Sequence, residues 1–91
     1  MDINTIVKQG DTLVSCEIGE QIALLNVESG NYHSFNEVAS RIWQLIQVPT
    51  PIGQVCDVLS SEYKIDPAQC EKEVVSFLGK LKGESLVSVQ I

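Results

Sequence analysis

Few side chains in this 91-residue sequence are of a type that does chemistry. There is one imidazole, His33, and there are three thiols, Cys16, Cys56 and Cys70. A catalytic thiol works as a thiolate beside a base, so the pairing of interest is Cys with His. Nothing in order or spacing ties His33 to any of the three. The cysteine count is odd and no Cys-x-x-Cys pair occurs, which speaks against a disulfide framework and against a zinc ribbon. Each cysteine falls at an apolar position of its local pattern and reads as a small buried hydrophobe. His33, with no second ligand beside it, reads as a structural or surface residue. Ser60 and Ser61 lack the Asp-Ser-Leu context of a modified acyl-carrier serine. Glu71 and Glu73 lie two apart on a helix, point to different faces, and make no carboxylate pair. No catalytic residue, metal site or cofactor loop emerges. The expectation is a protein that is not an enzyme and needs no cofactor.

Charge narrows the partners. Twelve acids against six bases give a net charge of −6, which repels a nucleic-acid backbone and an anionic membrane alike. A neutral or basic peptide is a more natural partner, although Lys64, Lys72, Lys80 and Lys82 do gather in the C-terminal third. No apolar run approaches the roughly 20 residues that span a bilayer. The start, "MDINTIVKQGD", lacks the plan of a signal peptide. The length fits one domain over residues 1–91, and the cytoplasm is the expected compartment.

The elements that must position any site are legible in outline. "TLVSCEI" alternates, with Val14, Cys16 and Ile18 on one face and Leu13, Ser15 and Glu17 on the other. "IGEQ" turns the chain, and Ile22 to Val27 is apolar on both faces, as a central strand would be. Gly30 suits the positive φ of a tight hairpin, and Tyr32 to Phe35 forms a third strand. A hairpin closing around Ser29 and Gly30 sets Val27 against Tyr32 and Leu24 against Phe35. The result is an antiparallel meander with its third strand at an edge.

Three helices follow. Asn36 is an N-cap residue, and Val38, Ala39, Ile42, Trp43, Leu45 and Ile46 make a broad apolar face up to Pro49. Thr50 is read as the next cap with Pro51 in the first turn, ahead of Ile52, Val55, Cys56, Leu59 and Tyr63. Asp66 and Pro67 repeat the device, with Gln69 at capping-box spacing. The third helix buries Val74, Phe77, Leu78 and Leu81, and Gly83 stops it. "LVSVQI" offers a last short strand. Trp43 is read as core. The fold class is α+β, winged-helix-like, with a three-stranded antiparallel sheet followed by three helices. The last two helices have the order of a helix-turn-helix. The candidate recognition helix nevertheless opens with Asp66, Glu71 and Glu73 against Lys72 alone, and a DNA reader needs a basic or amide-rich first turn.

"YHSFNEVASRIWQLI" resembles the signature of the PqqD-like family: an aromatic strand, Asn-Glu, then a helix with Arg-Ile-Trp. "EYKIDPAQCEKEVVSFLGKL" is similar to that family's capped last helix. The resemblance runs from about residue 10 to residue 87. It implies a precursor-peptide recognition element of ribosomally made, modified peptides, with a three-stranded sheet on three helices. Among stand-alone members, "LIQVPTPIGQVCDVL" and "DPAQCEKEVVSFL" look closest to the leader-binding component of lasso-peptide pathways. That component works beside a separate cysteine-protease-type leader peptidase and an ATP-dependent cyclase. A pyrroloquinoline-quinone-type chaperone serving a radical enzyme is the alternative within the family, and a winged-helix transcription regulator is the alternative outside it.

The resemblance also implies a site. The leader adds antiparallel to the third strand, Asn31, Tyr32, His33, Ser34 and Phe35, and lies against the third helix. Cys70, Glu71, Val74, Val75 and Leu78 are the expected wall. Val75 lies off the main apolar stripe, where a solvated helix prefers a polar residue; a slightly wider core face is the plainer reading of it. Lasso leaders commonly carry a Tyr-x-x-Pro motif, which needs one apolar slot for the ring and one for the proline.

Overall fold

A computed structural model describes residues 1–10, 13–19 and 21–90. The elements are β1 (Ile6–Gln9), β2 (Leu13–Ile18), β3 (Gln21–Asn26), β4 (Tyr32–Phe35), α1 (Glu37–Leu45), β5 (Thr50–Pro51), α2 (Ile52–Tyr63), α3 (Pro67–Gly83) and β6 (Val87–Gln90). They form two three-stranded antiparallel sheets, ordered β2-β3-β4 and β5-β1-β6. The first is the expected meander. The second was legible only in its last strand, because Ile6–Gln9 is too short to show a period and Thr50–Pro51 looks like a helix start. Thr12, Glu20 and Ile91, which the sequence placed in the first strand, its turn and the last strand, lie outside the described residues.

The meander's inner face is core. Ile22, Leu24 and Phe35 are buried against Ile42, Trp43, Ile46, Val74 and Leu78. Side chains of this size contribute about 1.5–3 kcal/mol each when fully buried. The β3–β4 register pairs Leu25 with Tyr32 and Ile22 with Phe35, two residues from the expected pairing. The connection is longer than a two-residue turn. Asn26 accepts from the Gly30 N–H (2.8 Å), its side chain caps the Glu28 N–H, and Gly30 takes φ +75°. An even slip leaves every side chain on its expected face.

The short junction between β4 and α1 is held by Ser40, which is buried. The Ile22 N–H donates to Ser40 Oγ (2.8 Å), and that hydroxyl donates to the Phe35 carbonyl (3.3 Å). A helix side chain thus closes the end of the β3–β4 ladder. Asn36 caps α1, accepting from the Ala39 N–H at 2.8 Å. Strand and helix can follow one another directly because both ends are satisfied. Ser40→Ala is expected to strand a buried donor and acceptor and to cost about 1–3 kcal/mol. Chemical denaturation measures this, and a cost below a few tenths would mean that the bridge contributes nothing.

The other helix ends depart from expectation in detail. Pro51 is the α2 N-cap, with no side-chain cap bond. The Thr50 hydroxyl instead turns back toward the carbonyls of Leu45 and Val48 (3.0 and 2.9 Å), and Thr50 pairs with Val7. Asp66 caps α3 at the Gln69 N–H (3.2 Å), whereas the Gln69 side chain bonds Glu73 rather than closing a capping box. The C-terminal end of α1 is capped by β1: the Gln9 N–H reaches the Ile46 carbonyl (3.0 Å) and its side chain reaches the Trp43 carbonyl (2.7 Å). Gly10 lies so near Leu86 that a Cβ would stand 2.9 Å from its carbonyl oxygen.

The cysteines divide. Cys56 and Cys70 are buried where α2 meets α3, with the Cys70 thiol donating to the Cys56 carbonyl at 3.8 Å. Burial, with the neighbouring Cys70 adding to it, pushes the Cys56 thiol up to about 11. Cys16, expected in the core, is exposed. It points outward from β2, away from the helices. Cys16 is therefore expected to be alkylated first in the native protein, with the other two modified only on unfolding. Peptide mass mapping after brief alkylation decides this, and early loss of the Cys70 thiol would contradict the packing.

Candidate peptide-binding site

The geometry of β4 fixes what its outer edge offers. The Asn26 N–H donates to the Asn31 carbonyl (2.9 Å), so Asn26 and Asn31 are a hydrogen-bonded pair. In an antiparallel ladder such pairs alternate. Asn31, His33 and Phe35 therefore turn their backbone groups toward β3. Tyr32 and Ser34 turn theirs outward. Among the described residues nothing pairs with that edge. It presents two N–H and two C=O groups to an incoming strand.

The helix α3 runs beside β4 on its inner side. Phe35 meets Phe77 edge-on, with ring centroids 5.4 Å apart. His33 Nε2 lies 3.8 Å from Glu84 Oε2 at the far end of the helix. The face of α3 toward β4 is thus Glu73, Phe77 and Lys80. From Phe77 a cavity of about 320 Å³ opens between the start of α1 and the helix pair α2–α3. Val38, Ile42, Ile65, Cys70 and Val74 line it, with Asn36 and Glu73 at polar positions. A shallower depression of about 280 Å³ continues past Glu73 and Phe77 to Lys80. The larger cavity is at the small end of ligand pockets and suits one or two peptide side chains.

The expected site residues separate on this frame. Tyr32 and Ser34 give the open edge, and His33 and Phe35 face the helix from the same strand. Asn31 lies just before the strand, its carbonyl committed to Asn26. Cys70 and Val74 reach the cavity wall. Leu78 is fully buried and belongs to the core. Val75 and Glu71 are carried to the opposite flank of α3, where they share a depression with Met1, Asp2 and Ala68. The rotation per residue explains this: Val75 is one position past Val74, about 100° around the helix, and turns away from β4. Sequence reading missed Glu73, Lys80, Val38 and Ile65 and assigned Phe77 to the core alone. The signal that could have found Phe77 is its partnership with Phe35, which is long-range. Glu71 and Glu73 do lie on different faces, as expected.

From the middle of α1, Arg41 holds Glu62 of α2 with two nitrogens (2.9 and 2.8 Å). The hydrogen bond to Arg41 lowers the Glu62 carboxyl, and the same bond raises the Arg41 guanidinium. This pair ties two helices together and lies away from the groove. Among the described residues, no three metal-ligating side chains gather and no helix is long and apolar enough to cross a membrane.

A family model described as coenzyme PQQ synthesis protein D (PqqD) matches residues 21–87, from β3 into β6. The chain belongs to the PqqD family. The match spans both walls of the groove, β4 and α3, and the resemblance read from the sequence stands. Two solved structures are similar to this PqqD-family chain. One is TbiB1 in complex with the TbiA(beta) leader peptide, at 30% identity, covering 89% of this chain and 94% of that one, with a TM-score of 0.84. The other is a lasso peptide synthetase B1 complexed with the leader peptide, at 21% identity, 90% and 96% coverage and a TM-score of 0.81. The second likeness is one of fold. Both cover a larger share of the chain than the family model does. No curated protein matches the chain.

Proposed function

We propose that this protein binds the leader segment of a ribosomally made precursor peptide, of the lasso class, and presents it to a separate leader peptidase. The observation that carries the reading is the open β4 edge beside Phe77 and its cavity. It is supported by the 30% identical TbiB1, whose structure holds a leader peptide. An extended peptide adding to β4 gains main-chain hydrogen bonds from Tyr32 and Ser34, and side-chain pockets give selectivity. The cavity beside Phe77 receives an apolar or aromatic leader side chain. An antiparallel leader runs parallel to α3, because β4 and α3 are opposed: His33 lies by Glu84, and Phe35 by Phe77. Its N-terminal part therefore lies nearer Glu73 and its C-terminal part nearer Glu84.

The protein acts by recruitment. Holding precursor and peptidase in one complex gives an effective concentration on the order of millimolar for a short flexible link. A cyclase can be served the same way. The description of the family model favours a second reading, a chaperone handing its precursor to the radical enzyme of pyrroloquinoline-quinone synthesis. The test is titration with synthetic leaders of both classes, followed by amide shifts. Binding of the lasso leader, with shifts at Tyr32, Ser34 and Phe77, supports the proposal. Shifts confined to β2, or selective binding of the other precursor, sink it. In reconstitution, cleavage by the peptidase should be faster with this protein, and excess free leader should inhibit.

A further inference from the structure

The face of α3 beside the open strand carries charge of both signs in a fixed order. Glu73, Phe77 and Lys80 follow one another on it at about one turn each, and all three line the shallower depression. Glu73 also reaches the larger cavity, whereas Lys80 does not. The ion pairs among the described residues are His33 with Glu84 and Arg41 with Glu62, so neither Glu73 nor Lys80 has an ion partner. Glu73 accepts one hydrogen bond, from the Gln69 side chain at 3.2 Å, and a carboxylate has room for more. Lys72, the other cation on this depression, also lines the one shared with Met1 and Asp2. It stands about 100° around the helix from Glu73 and rims α3 rather than facing β4.

Spacing ties these charges to positions in a bound strand. Side chains on one face of a strand recur about every 6.6 Å. From Phe77, Glu73 lies about 6 Å back along the helix axis and Lys80 about 4.5 Å on. An antiparallel leader runs parallel to α3 and meets Glu73, Phe77 and Lys80 in that order. When one leader side chain enters the cavity beside Phe77, its same-face neighbours fall beside Glu73 and Lys80. They are the residues two before it and two after it. The flexible four-carbon stem of the lysine spans the remaining offset of about 2 Å.

We propose that Glu73 and Lys80 are specificity-determining residues that read the order of charge in the leader. The preferred leader carries a basic side chain two residues before its apolar anchor and an acidic one two residues after it. This rests on the leader-binding reading above. A leader with the two charges exchanged sets like beside like at both ends of the cavity, although its net charge is the same. The net charge of −6 favours a basic peptide at long range, whereas the acidic position opposite Lys80 is a local requirement.

The test uses the intact protein and three labelled synthetic leaders that differ at two positions only. Around one aromatic anchor they carry Arg before and Glu after, Glu before and Arg after, or Gln at both. Affinity is read by fluorescence anisotropy at low and high salt. At low salt the Arg-first leader should bind about tenfold more tightly than the Glu-first leader, with the Gln leader between them, because two attractions are exchanged for two repulsions. High salt should shrink that preference to about threefold or less, since screening acts on exposed pairs. Glu73→Lys combined with Lys80→Glu should invert the preference. If a melting curve shows that the double variant fails to fold, Lys80→Glu alone should cut the preference by about threefold or more. Equal binding of the two charged leaders overturns the proposal, and so does a preference that the folded variants leave unchanged. Equal binding leaves the leader-binding reading intact. If none of the three leaders binds, that reading fails and the proposal falls with it.

Discussion

Ser34→Pro is expected to weaken leader binding about a hundredfold while the domain stays folded. The Ser34 N–H points away from β3, so a proline there removes no bond of the existing ladder. It removes one of the two donors offered to an incoming strand and places its ring in that strand's path. A lost bond plus an unpaired leader carbonyl amounts to about 2.7 kcal/mol. The contrast is His33→Pro, one residue back. The His33 N–H faces Leu24, so this change breaks the ladder and should unfold the hairpin. Calorimetry with synthetic leader and circular-dichroism melting measure the two effects. Wild-type affinity in folded Ser34→Pro would mean that the leader does not use this edge.

Phe77→Glu is the second large expected effect. Phe77 is half-buried between Phe35 and the cavity. A carboxylate there faces apolar leader side chains, and Lys80, the cation one turn on, lines the shallower depression rather than the cavity. Leader affinity should fall by about a hundredfold, or about 2.7 kcal/mol. Stability should fall by about 1–2 kcal/mol from the lost ring pair and packing. Val75→Glu is the control. Its side chain lies on the far flank of α3, so leader affinity should remain within about threefold of wild type. The reverse pattern, with Val75→Glu damaging and Phe77→Glu harmless to binding, would move the groove to the flank beside Met1 and Asp2.

Much of this was legible before any coordinates. The alternation in β2, the cap at Asn36, the Asp66-Pro67 start and the Val74–Leu78–Leu81 stripe all appear where local chemistry puts them. Local rules also brought α2 close, missing only which residue caps it, because Thr50 has a competing use in pairing with Val7. The reach of local rules ended at β1. Four residues carry too little periodicity to announce a strand that pairs with residues 50–51 and 87–90. Cys16 failed for a related reason. Alternation identifies two faces of a strand but not which one meets the helices.

The site divided along the same line. Sequence by itself determined the edge strand, the capped helix opposite it and, through its motifs, the family. These follow from nearest-neighbour preferences and from the order of motifs along the chain. Tertiary structure decided which backbone groups of β4 are free, which flank of α3 faces them, and that Phe77 rather than Val75 lies beside the strand. Helix rotation and strand register are set by packing across the whole core. A slip of two residues, or a turn of 100° about the helix axis, leaves the local pattern unchanged while moving every functional contact.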